Sequence, residues 1–197
     1  MYDLTLTQEQ VEIRDTVREF VRREIKPVMT SPARLERLDR SIPQDLLVQA
    51  SKLGLRTLAL SEDAGGAGAD SLTCCIVAEE LGAGDAGFGA SLMRTAALGQ
   101  VLFERMSVEQ RGQVFGDFLE HPDCHLAHAP LTSKAQWNYH RTPPAATVGG
   151  PAASQQADGT WKLSGSTRVV ANAPLAAFFV VQARTGDKPG DAVALVV

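Results

Sequence analysis

At 197 residues with 44% apolar side chains, the chain is long enough to bury a sizeable core as one domain or one and a half. Its net charge of −4, from 19 basic and 23 acidic residues, gives no basic footprint for nucleic acid. No apolar run approaches the roughly 20 residues that span a bilayer, and the opening Met1 to Thr7 has neither the charged n-region nor the apolar h-region of a signal peptide.

Thr7-Gln8-Glu9-Gln10 fits a capping box that opens a helix along Ile13, Val17, Phe20, Val21 and Ile25. Pro27 is expected to end it. Residues 30–40 are polar and charged and read as a loop. Ser41, with Pro43 inside the first turn, opens a second helix through Leu46, Leu47, Ala50 and Leu53, closed by Gly54. Leu55 to Leu60 is a short apolar connection.

The stretch from Ser61 to Asp85 organises the chain. Gly65, Gly66 and Gly68 form a tight loop, and Asp70 or Ser71 is a ready N-cap for the helix that follows. Leu72, Cys75 and Ile76 recur at helical spacing, with Val77 and Leu81 on an adjacent row. Gly82 is expected at the C′ position. Glu79 and Glu80 oppose the helix macrodipole there, so an ion pair or cap should hold them. A general acid/base pair is the rival reading, weakened because neighbours on a helix point about 100° apart. The glycine loop lacks a P-loop lysine, which favours a structural turn over a phosphate cradle.

Gly87 to Arg105 reads as a long helix rich in small residues. Ser107-Val-Glu-Gln110 is a second capping box, opening a helix through Val114, Phe115, Phe118 and Leu119. The character changes at His121-Pro122. Ala152–Ala157 and Trp161–Leu163 pair around an Asp158-Gly159 turn, and 168–171, 176–183 and 192–197 also read as strands. Cys74, Cys75 and Cys124 make a poor disulfide framework and read as reduced, buried thiols of a cytoplasmic protein. His121, His125, His128 and His140 lack a completing Cys or Asp, so no metal site is assigned.

Gly65-Gly66-Ala67-Gly68 followed by Glu79-Glu80-Leu81-Gly82 resembles the acyl-CoA dehydrogenase family, where a Gly-Gly-x-Gly loop precedes a helix ending Glu-Glu-Leu-Gly. The resemblance extends from the Leu4 to Ile25 helix through Ser107 to Gln110, Leu163-Ser-Gly-Ser166 and Phe178 to Arg184. It implies an α+β fold: an N-terminal all-α helical domain over 1–120, then an incomplete antiparallel β-barrel-like domain over 121–197, without the family's C-terminal helical domain.

The resemblance also implies chemistry: FAD-dependent α,β-dehydrogenation of an acyl-CoA thioester, with a carboxylate taking the α-proton. In most of the family that base lies in the C-terminal helical domain, so no catalytic residue is assigned here. Two segments are implied to wall the flavin. The first is Leu126, Ala127, His128 and Pro130, where His128 replaces a threonine and Ala129 a glutamate. The second is Val169, Val170, Ala171 and Asn172, where Val169 replaces an aromatic residue and Ala171 a threonine. Ser133 is the nearest match to the acyl-CoA segment, and Ser91, Met93 and Ala97 are implied to border the acyl channel.

For Met93 and Phe103, core packing is the ordinary alternative. Trp161 reads as hairpin packing, and Arg168 and Arg184 as solvated strand ends. An electron-transfer flavoprotein or similar acceptor and a homo- or hetero-oligomeric assembly complete the expectation. Two other functions stay open: a non-catalytic partner subunit of a hetero-oligomeric dehydrogenase, and an acyl-CoA-binding module without redox activity.

Overall fold

The computed structural model describes residues 5–36, 41–131, 150–167, 169–188 and 191–197. The chain divides into two compact units, Met1–His125 and Leu126–Val197. The first is helical and the second is a sheet, so the architecture is α+β.

The first unit opens with α1 (Gln8–Phe20), capped by Thr7 and Gln10 in a reciprocal capping box. The helix does not stop at Pro27. A π turn over Val21–Ile25 widens the backbone ladder, with Lys26 N donating to Val21 O, and α2 (Lys26–Met29) follows. Pro27 thereby falls in the first turn of α2, directly after the widened turn, where a proline is best tolerated. The polar stretch after it also holds a short helix, α3 (Pro32–Leu35). In α4 (Gln44–Lys52), Pro43 is the N-cap and not part of the first turn, and Leu53 is a half-exposed C-cap.

The loop into the central helix is tied by backbone bonds, Gly66 N to Ser61 O at 3.0 Å and Gly68 N to Leu60 O at 2.7 Å. A Cβ on Gly66 would overlap the carbonyl oxygens of Leu60 and Thr57, so only glycine fits there. Asp70 then caps α5 (Ser71–Gly84), accepting from Thr73 N at 2.7 Å. The buried face of α5 is Thr73, Ile76, Val77 and Leu81; Leu72 and Cys75 point to solvent, one position off the expected row. Of the three thiols only Cys124 is buried.

Gly82 does not end α5. It lies inside the helix, where α6 (Ala86–Arg105) crosses so closely that a Cβ on Gly89 would sit 3.1 Å from Gly82 N. The break comes at Asp85, whose extended backbone ends α5 while its carboxylate accepts from Phe88 N at 2.7 Å and starts α6. Glu80 is ion-paired, meeting Arg18 through two hydrogen bonds of 2.5 and 3.0 Å. Ser107 and Gln110 form the second capping box and open α7 (Val108–Glu120). The core between these helices is Val17, Ile25, Leu47, Val77, Leu81, Phe88, Leu92 and Phe118.

The second unit is a five-stranded sheet of β1 (His125–Ala129), β2 (Ala152–Gln155), β3 (Trp161–Ser164), β4 (Ala176–Arg184) and β5 (Ala192–Val196). The order is β1-β4-β2-β3, with β5 also on β4. β2 and β3 form an antiparallel hairpin from Ala152↔Ser164 to Gln155↔Trp161, turned where Asp158 accepts from Thr160 N and Oγ1. β4 and β5 are antiparallel from Val180↔Val196 to Arg184↔Ala192. One parallel pair, Ala152↔Arg184, joins β2 to β4, so the sheet is not purely antiparallel. Residues 169–171 are not a strand, because the chain turns at Ala171–Asn172 before a short 3₁₀ segment at Ala173–Leu175. Among the described residues, no helix is long and apolar enough to cross a membrane.

Candidate functional site

A cleft of about 390 Å³ opens in the second unit, within the size range of small-molecule sites. Ala129 at the end of β1 and Val170 and Ala173 of the turn line it, with Phe179 and Val181 from one face of β4. Pro151 and Leu163 to Thr167 complete the wall. Period-two alternation explains the β4 pair, since residues two apart share a face. Among the described residues that line the cleft none has an ionisable side chain; the polar ones are Ser164, Ser166 and Thr167.

That donor set suits a neutral, flat, amphipathic ring, with apolar surface on two sides and a few hydroxyls for ring carbonyls and nitrogens. A flavin's tricyclic ring therefore fits the residues present.

The structure brings the two expected wall segments together. Asn172 Nδ2 donates to Leu126 O at 3.4 Å, and Ala129 and Val170 line one cleft. Their side chains take different stations. Leu126 and Ala127 are fully buried, Pro130 is half-buried, and strand alternation puts His128 on the face opposite Ala129. Val169 is 98% exposed, and Ala171 is exposed beside it. Leu163 to Thr167, Phe179 and Val181 were not singled out from sequence as wall residues. Their signal is a glycine flanked by hydroxyls, Ser164-Gly165-Ser166, directly after a strand.

Ser91, Met93 and Ala97 lie on α6 of the first unit. Met93 and Ala97 share a helix face, while the Ser91 carbonyl accepts from Thr95 Oγ1 at 3.4 Å. Trp161 is 39% exposed and Arg184 is exposed at a strand end. Ser133, His140 and Arg168 lie outside the described residues.

A second polar cluster is buried in the first unit. Arg56 donates through Nη1 to Cys124 O at 2.6 Å and stacks 4.3 Å over the Phe118 ring. Burial pushes its pKa down from the ordinary value. His125 Nδ1 lies 3.2 Å from Thr95 Oγ1, and its pKa is pushed down to about 4 by burial and then by the Arg56 charge. Both serve the helical core. Among the described residues no three His, Cys, Asp or Glu side chains come together to hold a metal ion.

Residues 7–120 match the family model for the acyl-CoA dehydrogenase N-terminal domain. Over 79 residues, 40% of this chain and 20% of the relative, identity is 35% to the short-chain specific acyl-CoA dehydrogenase of Clostridium acetobutylicum. In structure the chain resembles glutaryl-CoA dehydrogenase from Mycobacterium smegmatis, with TM-score 0.78, 29% identity, and coverage of 98% of this chain and 46% of that one. A glutaryl-CoA dehydrogenase from the same organism has been solved in complex with FADH2. A structure of the electron transferring flavoprotein of Acidaminococcus fermentans shares the fold, with TM-score 0.81, 23% identity, and coverage of 100% of this chain and 49% of that one. The chain thus spans about half the length of these solved structures and less of the curated relative.

Proposed function

This chain belongs to the acyl-CoA dehydrogenase family, and on that premise we propose that it takes part in FAD-dependent α,β-dehydrogenation of an acyl-CoA thioester, with the flavin ring in the cleft of the second unit. The observation that carries this reading is the meeting of Ala129 and Val170 in one neutral cleft with three hydroxyls at its rim.

In this reading Ala129, Val170, Phe179 and Val181 exclude water from the ring, and Ser164, Ser166 and Thr167 offer hydroxyls to its polar edge. The backbones of Leu126, Ala127, His128 and Pro130, and of Val169, Val170, Ala171 and Asn172, frame it. Flavin, if bound there, would supply the two-electron redox chemistry for removal of the β-hydrogen as hydride. None of the described residues is assigned the α-proton base. Ser91, Met93 and Ala97 are the acyl-facing residues, joined by Ser133. An electron-transfer flavoprotein as acceptor, a homo- or hetero-oligomer and a cytoplasmic location belong to the same proposal.

A second reading has a specific observation in its favour. Ala129 and Ala171 stand where the resemblance implies a glutamate and a threonine, and Val169, in place of an aromatic residue, faces solvent. A non-catalytic partner subunit would tolerate those changes. Anaerobic titration of the FAD-loaded protein with acyl-CoA thioesters of increasing chain length separates the two. The dehydrogenase reading predicts bleaching of the flavin band by at least one thioester. A bound flavin that none of them bleaches would support the partner-subunit role.

A further inference from the structure

Asn172 is the one non-glycine position with positive φ among the described residues. Its angles, φ 67 and ψ 2, are those of the third residue of a type II turn, where glycine or asparagine is required. Ala173 N donates to Val170 O at 3.4 Å and closes that turn, and Leu175 N donates to Asn172 O at 2.8 Å. A left-handed backbone at a residue with a side chain persists only where its surroundings over-determine it. Here the surroundings are visible. Asn172 is 9% exposed, and its amide donates to Leu126 O on β1.

Asn172 does not itself line the cleft, but its neighbours do. Val170 and Ala173 stand on either side of it, and Ala129 lies three residues beyond Leu126 on the same strand. The amide therefore ties together two backbone segments that both contribute residues to the cleft wall.

We propose that Asn172 is a positioning residue: it pins the Val170–Ala173 turn to β1 and so fixes the spacing of the cleft walls that would receive the ring. The consequence for flavin rests on the functional reading above; the pin itself does not. Three substitutions take the residue apart. Asn172→Gly keeps the left-handed backbone and removes the amide. Asn172→Asp tolerates the same angles but turns a carboxylate toward a carbonyl oxygen. Asn172→Ala loses both features.

The test uses the 197-residue chain, with two readouts besides activity: amide hydrogen exchange, and the affinity and visible band shape of added FAD. Asn172→Gly and Asn172→Asp should each speed exchange at the Ala173 and Leu175 amides about tenfold, the size of one lost hydrogen bond. Exchange along the β4–β5 ladder should stay at the wild-type rate. FAD affinity should fall about tenfold with an altered band, and Asn172→Ala should be worse on every measure. Wild-type exchange, affinity and band in Asn172→Gly would overturn the proposal, leaving only a backbone requirement. If the wild-type chain takes up no FAD, the functional reading fails, and the exchange rates alone decide whether the pin exists.

Discussion

His125 Nδ1 lies 3.2 Å from Thr95 Oγ1, and both residues are almost wholly buried, at 3% and 0% exposure. Thr95 Oγ1 also lies 3.4 Å from the Ser91 carbonyl, to which it donates. The buried imidazole leaves Nε2 with no hydrogen-bond partner among the described residues. Protonating it would bury a cation near Arg56, which is why its pKa falls to about 4.

Acid should therefore destabilise the helical unit in a defined window. The unfolded chain protonates His125 near pH 6.5, whereas the folded chain resists until about pH 4. Stability contributed by the neutral ring is full above pH 6.5 and declines as pH falls toward 4. The expected loss is about 3 kcal/mol at most. Urea unfolding in half-unit pH steps measures it, with His125→Met as the control that should flatten this part of the profile.

Asp85 ends one helix and starts the next, so its carboxylate serves the junction of α5 and α6. Asp85→Ala should cost about 1 kcal/mol through the lost cap on Phe88 N, while Asp85→Asn should cost much less. Equal urea midpoints for the two variants would remove the capping argument.

Two glycine substitutions should move stability in opposite directions. Gly66→Ala drives a methyl into the Leu60 and Thr57 carbonyls and should cost about 3 kcal/mol or more. Gly112→Ala, on an open face of α7 with nothing near the new Cβ, should gain roughly 0.5–1 kcal/mol. Thermal unfolding of both checks the sign.

Much of the helical unit was legible because its signals are local. The capping boxes at Thr7 and Ser107 name their own helix starts, and the Gly65–Gly68 loop announces a turn. What was not legible depended on partners distant in sequence. Pro27 stops a regular helix, but the widened turn at Val21–Ile25 lets the chain pass it. Gly82 looks like a terminus, yet it lies inside α5, and the close crossing constrains Gly89 of α6, whose Cβ would meet the Leu81–Gly82 backbone. Thr73, not Leu72, faces the core because α5 is oriented by its contacts with α1 and α6, and its composition does not decide the matter. In the sheet unit, β-branched Val169 and Val170 suggest a strand; the left-handed backbone at Asn172, which asparagine tolerates and the contact to Leu126 supports, makes a turn. The wall residues of the cleft come from five separate stretches, and nothing in local pattern assembles them.

The cleft should be sensitive to charge while the fold is not. Val170 lies outside any strand and is half-buried, so Val170→Asp should leave the unfolding midpoint nearly unchanged. A carboxylate in this neutral wall should weaken FAD uptake at least tenfold, on the order of the cost of burying an unpaired polar group. Titration by flavin fluorescence reads that directly.

A flavin ring seated in the cleft of the second unit would show in the visible absorbance spectrum. The protein should be purified, incubated with excess FAD, desalted and scanned, in parallel with Val170→Asp. The wild type should carry a flavin band near one equivalent per chain and the variant a much smaller one. A colourless wild-type protein, or equal bands in the two, would contradict that seating.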